Sequence, residues 1–201
     1  MKIVYADEAI VVIDKPAGLL SVPGRGAGKQ DCALSRLHDT YSDALIVHRL
    51  DMATSGLMVL ARNVNAHRNL SGQFARREVN KKYIAIVHGI IDTDEGEINA
   101  PLITDWPNRP KQMVDFDIGK PSQTKFKVLS HDAKTTRVEL VPMTGRTHQL
   151  RVHMLWLGHP ICGDALYCTD EHPRLLLHAQ KLEFAHPLKG NKMAFASKPI
   201  F

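Results

Sequence analysis

The residue types best able to do chemistry lie close together between positions 46 and 62: His48, Arg49, Asp51, Thr54 and Ser55, set between two apolar runs, Leu45 to Val47 and Leu57 to Ala61. Both runs read as buried strands. A carboxylate caught between core strands is partly desolvated, and the ionised form needs a cation or several donors to hold it. Held in that way, it is a nucleophile or a base. Residues two apart in extended chain share a face, so Arg49 and Asp51 project together while His48 and Leu50 project oppositely. By spacing alone this is equally an Arg/Asp pair that closes a strand end. Thr54-Ser55-Gly56 follows at once, and two hydroxyls with a flexible glycine make a loop whose shape polar contacts fix.

Other chemistries fit less well. His48-Arg49-Leu50-Asp51 is superficially like the kinase His-Arg-Asp loop, but Leu50 is inserted, and Asp-Phe-Gly and a nucleotide loop are missing. The eleven histidines invite a metal, yet there is no His-Glu-x-x-His, and His148 and His153 are five apart, not the spacing of two ligands on one helical face. Cys32, Cys162 and Cys168 are odd in number and form no Cys-x-x-Cys, so neither a disulfide framework nor a zinc site is expected. Gly24, Gly26 and Gly28 lack the spacing of a dinucleotide loop and read as a mobile surface loop.

The elements that must position the central cluster are short. Ile3 to Tyr5 and Ala9 to Ile13 read as strands, with Lys15-Pro16-Ala17-Gly18 a turn after them. Asp31 is a cap for a helix with Leu34, Leu37 and Tyr41 on one side, and Asn63 for a second with Leu70 and Phe74 inward. Lys81 to Val87 reads as a strand in which Tyr83 is most simply a core or cross-strand aromatic. Residues 101 to 112, with three prolines and Trp106, read as an ordered irregular loop. Ser122 to Val141 reads as two strands joined by a polar turn, with Lys125 and Lys127 outward. Thr147 caps a helix whose Leu150, Met154 and Leu157 share a face bordered by Arg151 and which Gly158 ends. Residues 174 to 178, 181 to 185 and 193 to 196 supply further strands.

A chain of 201 residues with 44% hydrophobic content buries one substantial core or at most two small ones, and no repeat or linker interrupts it, so one domain is expected. A net charge of +5 is a mild basic bias that accommodates a polyanionic partner without requiring one. The N-terminus already alternates like a strand, and no run approaches the roughly 18 apolar residues of a membrane span, so a cytoplasmic location is expected.

His48-Arg49-Leu50-Asp51 with Thr54-Ser55-Gly56 resembles the catalytic motif of the RluA family of RNA pseudouridine synthases. Lys15-Pro16-Ala17-Gly18-Leu19 resembles the family's first motif, Lys82-Tyr83 its tyrosine motif, and Gly145 to His153, Gly-Arg-Thr-His-Gln-Leu-Arg-Val-His, its third, in the family's order. The Asp105-Trp106-Pro107-Asn108-Arg109-Pro110-Lys111 segment is similar to the RluA branch in particular. The resemblance implies the α+β pseudouridine synthase fold: a mixed, largely antiparallel central sheet flanked by helices and loops, with a cleft across the sheet. It implies a single catalytic domain over residues 1 to 201 with no S4 module and no cofactor or metal; a monomer is the default expectation. Asp51 is then the catalytic residue, Arg151 its ion partner and Tyr83 the aromatic against which the uracil packs. Arg49 fills the space a flipped base vacates, and His48, Thr54, Arg109, Lys111 and Arg146 serve RNA binding or base flipping. The implied partners are a large-subunit ribosomal RNA loop and the tRNA anticodon stem-loop. A non-catalytic RNA binder, and a hydrolase built on Asp51 and a histidine, are the alternatives.

Overall fold

The apolar runs that open the sequence form strands in the structure, a computed structural model that describes residues 1–170 and 172–201. In chain order the elements are β1 (Lys2–Ala6), β2 (Ile10–Lys15), α1 (Ala33–His38), β3 (Leu45–Ile46), β4 (Ser55–Ala61), α2 (Val64–Ala75), β5 (Asn80–His88), β6 (Glu95–Asn99), β7 (Leu102–Thr104), β8 (Gln112–Val114), β9 (Gln123–His131), β10 (Thr135–Pro142), α3 (Gln149–Trp156), β11 (Leu177–Ala185) and β12 (Lys192–Ala196). This is the α+β class expected, with antiparallel pairing throughout the ladders described below. The chain forms two compact units, residues 1–81 with 179–200, and residues 82–178 with Phe201. No helix among the described residues is long and apolar enough to cross a membrane.

In the first unit β4 is the middle strand. It lies next to β2 and β11, β1 flanks β2, β12 flanks β11, and β3 pairs with β4 at Leu60 and Ala61. All seven residues of β4 are buried, and so is β2 apart from Asp14, which is why neither sequence alternates. Ile10, Val12, Leu57 and Val59 present one face to Ala66 and Leu70 of α2, with Leu182 and Phe184 of β11 in the same core. Burying Leu70 contributes on the order of 2 kcal/mol. The α2 helix starts where expected, because the Asn63 side chain accepts the Ala66 N–H at 2.9 Å. Gln73 ties it to β11, donating to the Ala185 carbonyl at 2.8 Å and accepting the Ala185 N–H at 2.9 Å.

Two expectations for this unit are corrected. The cap of α1 is Cys32, whose sulfur accepts the Ser35 N–H, while Asp31 forms an exposed ion pair with Arg36. Leu45 is exposed on a two-residue strand, because, of that run, it is Val47 that packs against the core.

In the second unit the order is β5-β10-β9-β6. The β9–β10 hairpin forms as read, with Phe126, Val138 and Leu140 buried and Lys125 and Lys127 exposed, except that Val128, expected inward with them, is only half-buried. The stretch from 101 to 112 is less irregular than its prolines imply, since Leu102–Thr104 pairs with Gln112–Val114 and all three prolines fall outside the paired residues. Helix α3 is capped by His148, not by Thr147, and His148 is in the left-handed conformation (φ 53°) with no side-chain cap hydrogen bond. It ends at Gly158 (φ 88°) as expected. Residues 175 to 177 are buried, and Leu176 exchanges backbone hydrogen bonds with Ile86 and Cys162.

Candidate active site

Asp51 sits half-buried in the turn between β3 and β4, and the backbone on both sides of it is pinned. On one side, Ser21 Oγ donates to the Leu50 carbonyl at 2.7 Å and accepts the Leu50 N–H at 3.1 Å. On the other, the Met52 carbonyl accepts Lys15 Nζ at 3.1 Å and the Gly18 N–H at 2.8 Å. Lys15 is wholly buried and also donates to the carbonyls of Pro16 at 3.0 Å and Leu19 at 2.7 Å. A buried ammonium is costly unless its donors are used, and here three of them meet carbonyl oxygens. The Thr54 N–H closes the turn on the Asp51 carbonyl at 3.1 Å. The Lys-Pro-Ala-Gly-Leu stretch therefore has a physical task, which is to hold the strand end that carries the carboxylate. Neither the role of Lys15 nor that of Ser21 was apparent from sequence spacing.

The other residues of this cluster divide by exposure. Arg49 is exposed. Thr54 and Ser55 are buried in the β4 entrance, and Gly56 lies so close to Ala179 that a Cβ would sit 2.4 Å from its carbonyl oxygen. His48 is half-buried, stacked on Phe74 with ring centroids 4.5 Å apart. Its Nε2 accepts the Val59 N–H at 3.1 Å, which requires the neutral ring. Burial and the nearby Lys81 ammonium hold its pKa down at about 3.

Five of the expected site residues are in the second unit. Tyr83 is half-buried on β5 opposite Leu140, beside Lys82, whose ammonium contacts Glu139 at 2.9 Å. Arg151, which sequence placed at the border of the α3 apolar face, is 4% exposed. Its Nε and Nη2 fork onto Asp164 at 2.7 and 2.6 Å. Asp164 also accepts the Leu166 N–H at 3.1 Å. The Arg151 guanidinium lies 5.1 Å from the centre of the Tyr167 ring, and the Tyr167 hydroxyl accepts the Gln112 N–H and bonds His148 Nδ1, each at 2.7 Å. Asp164 and Tyr167 were missed; a lone acid in the apolar stretch Pro160 to Tyr167 was the available signal. Arg109 lies over Trp106 at 3.5 Å, and both are exposed. Lys111 is half-buried, and exposed Arg146 gives its Nε to the Pro121 carbonyl at 3.3 Å.

Among the described residues, one group has metal-ligating types within reach of one another: His88, Cys162 and Asp170, with donor atoms within 4.8 Å. His88 Nε2 bonds the Asp170 carboxylate, and burial with the Asp170 charge pushes the Cys162 thiol up to about 11. His88 and Asp170 are thus hydrogen-bonded to each other, with the Cys162 thiol beside them.

Residues 9–156 match the family described as RNA pseudouridylate synthase. The chain is 51% identical over 204 aligned residues to the dual-specificity RNA pseudouridine synthase RluA of Escherichia coli K12, covering 99% of this chain and 93% of that protein. It is 50% identical to the protein of the same name from Yersinia pestis, with both chains covered completely. Among solved structures, human RNA pseudouridylate synthase domain containing 1 superposes with a TM-score of 0.82 at 28% identity, covering 98% of this chain and 82% of that one.

Proposed function

This chain belongs to the RNA pseudouridine synthase family, and on that premise we propose that Asp51 is its catalytic carboxylate, acting on a uridine drawn out of a structured stem-loop. The enzyme isomerises uridine to pseudouridine in RNA. The N1–C1′ bond breaks, the base turns, and a C5–C1′ bond forms; C5 gives up its proton and N1 gains one. No electrons are gained or lost overall. Asp51 enters either by attacking C1′ or by taking the 2′ proton, and both routes begin from the anion. Arg151, whose guanidinium is fixed on Asp164, is the second residue of the proposed catalytic machinery.

Extruding a stacked base costs a few kcal/mol, offset by stacking on an aromatic ring and by phosphate contacts. Tyr83 is the ring and exposed Arg49 enters the vacated space. Arg109, Lys111 and Arg146 meet phosphates, while His48 and Thr54 act from within by holding the loop. The substrates are a large-subunit ribosomal RNA loop and the tRNA anticodon stem-loop, a reading supported by the dual-specificity relatives and by the Trp106 segment. The observation that carries the role of Asp51 is that Leu50 and Met52 are both fastened, by Ser21 and Lys15.

The test is tritium release from C5-labelled anticodon stem-loop RNA. Asp51→Asn is expected to abolish release while RNA affinity stays within about twofold. Retained turnover would remove Asp51 from the mechanism, and free uracil among the products would favour a hydrolase. Mapping pseudouridines in RNA from a strain lacking the protein tests the substrates.

A further inference from the structure

Beside Arg151 and Asp164 the second unit contains a cavity of about 590 Å³, walled by β8, the last turns of α3 and residues 165 to 169. Trp156, Leu155 and Tyr167 make its apolar walls, and Asp105 and Lys111 its polar ones. Trp156 is 56% exposed, and Phe116, at 5.7 Å from it, is 64% exposed. Two large aromatics held in water beside a cavity mark a binding surface more than a core. The charge around it is mixed. Lys111 and the Arg109 that covers Trp106 supply cations. The Asp105 carboxylate accepts Asn108 Nδ2, and the Asp115 carboxylate accepts the backbone N–H groups of residues 117 and 118.

We propose that this cavity takes one unstacked nucleobase of the substrate RNA other than the uridine that is isomerised, so that it selects the stem-loop; this rests on the RNA reading above. A cavity in the range that holds small ligands has room for a flat base. Sequence-specific RNA recognition works mainly through splayed loop bases stacked on aromatic side chains, and Trp156 and Tyr167 offer such faces. The two polar groups orient the base. Phosphate is repelled by Asp105 and attracted by Lys111 and Arg109, so the backbone passes the basic side and an N–H edge of the base meets the carboxylate.

The test is a scan of anticodon stem-loop RNA in which each loop nucleotide except the target is made abasic in turn. With the unaltered enzyme, one position is expected to raise KM about tenfold, as the loss of one stacked base does. Trp156→Leu is expected to raise KM about tenfold on intact RNA with kcat little changed, and the abasic substitution at that position then adds nothing further. Trp156→Phe, which keeps a stacking face, should recover most of the loss. Unchanged KM for Trp156→Leu, or additive effects at every loop position, would overturn the inference while leaving the substrate reading intact. Turnover of no stem-loop by the unaltered enzyme would overturn both.

Discussion

Replacing Asp164 with leucine removes the carboxylate from a pair whose side chains are 5% and 1% exposed and puts a bulkier apolar side chain in its place. The Arg151 guanidinium then loses its neutralising partner along the Nε edge, and the Leu166 N–H loses its acceptor. Breaking a buried pair by removing one partner costs about 3–5 kcal/mol, because the remaining charge stays desolvated. For a chain of this length each kcal/mol lowers Tm by about 2–4 °C, so Asp164→Leu is expected to melt roughly 6–20 °C below the unaltered protein. Arg151→Met combined with Asp164→Leu is expected to cost clearly less than the two singles added together, since the second change removes the stranded charge. Urea denaturation of the four proteins, followed by circular dichroism, gives the coupling. Asp164→Leu within about 1 kcal/mol of the unaltered protein, or strictly additive singles, would refute the reasoning. The same substitution is expected to lower turnover by tenfold or more, on the order of 1.4 kcal/mol, since Arg151 loses the group that aims it.

Lys15→Met takes a donor from three carbonyls and is expected to cost about 2–4 kcal/mol and to loosen the Asp51 turn, so that kcat falls more than KM rises; unchanged kcat would separate Lys15 from the site. Gly56→Ala drives a Cβ to 2.4 Å from the Ala179 carbonyl oxygen at a φ of 115°, and the expected outcome is loss of the cooperative melting transition, with normal melting the contrary result. The neutral His48 predicts acid sensitivity. Its folded pKa of about 3 lies below the ordinary 6.5, so its contribution is complete above pH 6.5 and is lost as the pH falls from there towards 3. The unfolded chain binds a proton that the folded one refuses, at about 1.4 kcal/mol per pH unit. His153, also lowered by burial, acts in the same direction. Urea midpoints from pH 7 down should therefore fall less steeply for His48→Gln, and an unaltered slope would refute the assignment.

Much of the scaffold was legible because it obeys local rules. Asn63 has the cap residue's side chain with apolar positions at the right spacing after it, and the β9–β10 hairpin carries its alternation openly. The errors arose where the deciding contact is not local or the chemistry is unusual. A cysteine sulfur caps α1 although it is a weak acceptor, and α3 opens on a left-handed histidine, a conformation that only a few per cent of non-glycine residues adopt. The prolines at 101, 107 and 110 hid a strand pair because they stand just outside it. At the site, Asp51 stood out by its polar surroundings. Asp164 did not, because its partner lies thirteen residues earlier on another element and nothing local shows that Arg151 is buried.

The first unit is assembled from two ends of the chain, and this sets the order in which a nascent polypeptide can finish its parts. By the time residue 81 has left the ribosome, the wholly buried β4 still lacks the neighbour that is made only at residues 177 to 185. Residues 82–178 are contiguous, so the middle of the protein can complete itself before its beginning does. An apolar strand waiting through nearly 120 further residues is a template for pairing with the wrong chain. Ribosome stalling before residue 179 is therefore expected to leave the N-terminal part bound to chaperones, with release as residues 179–200 emerge.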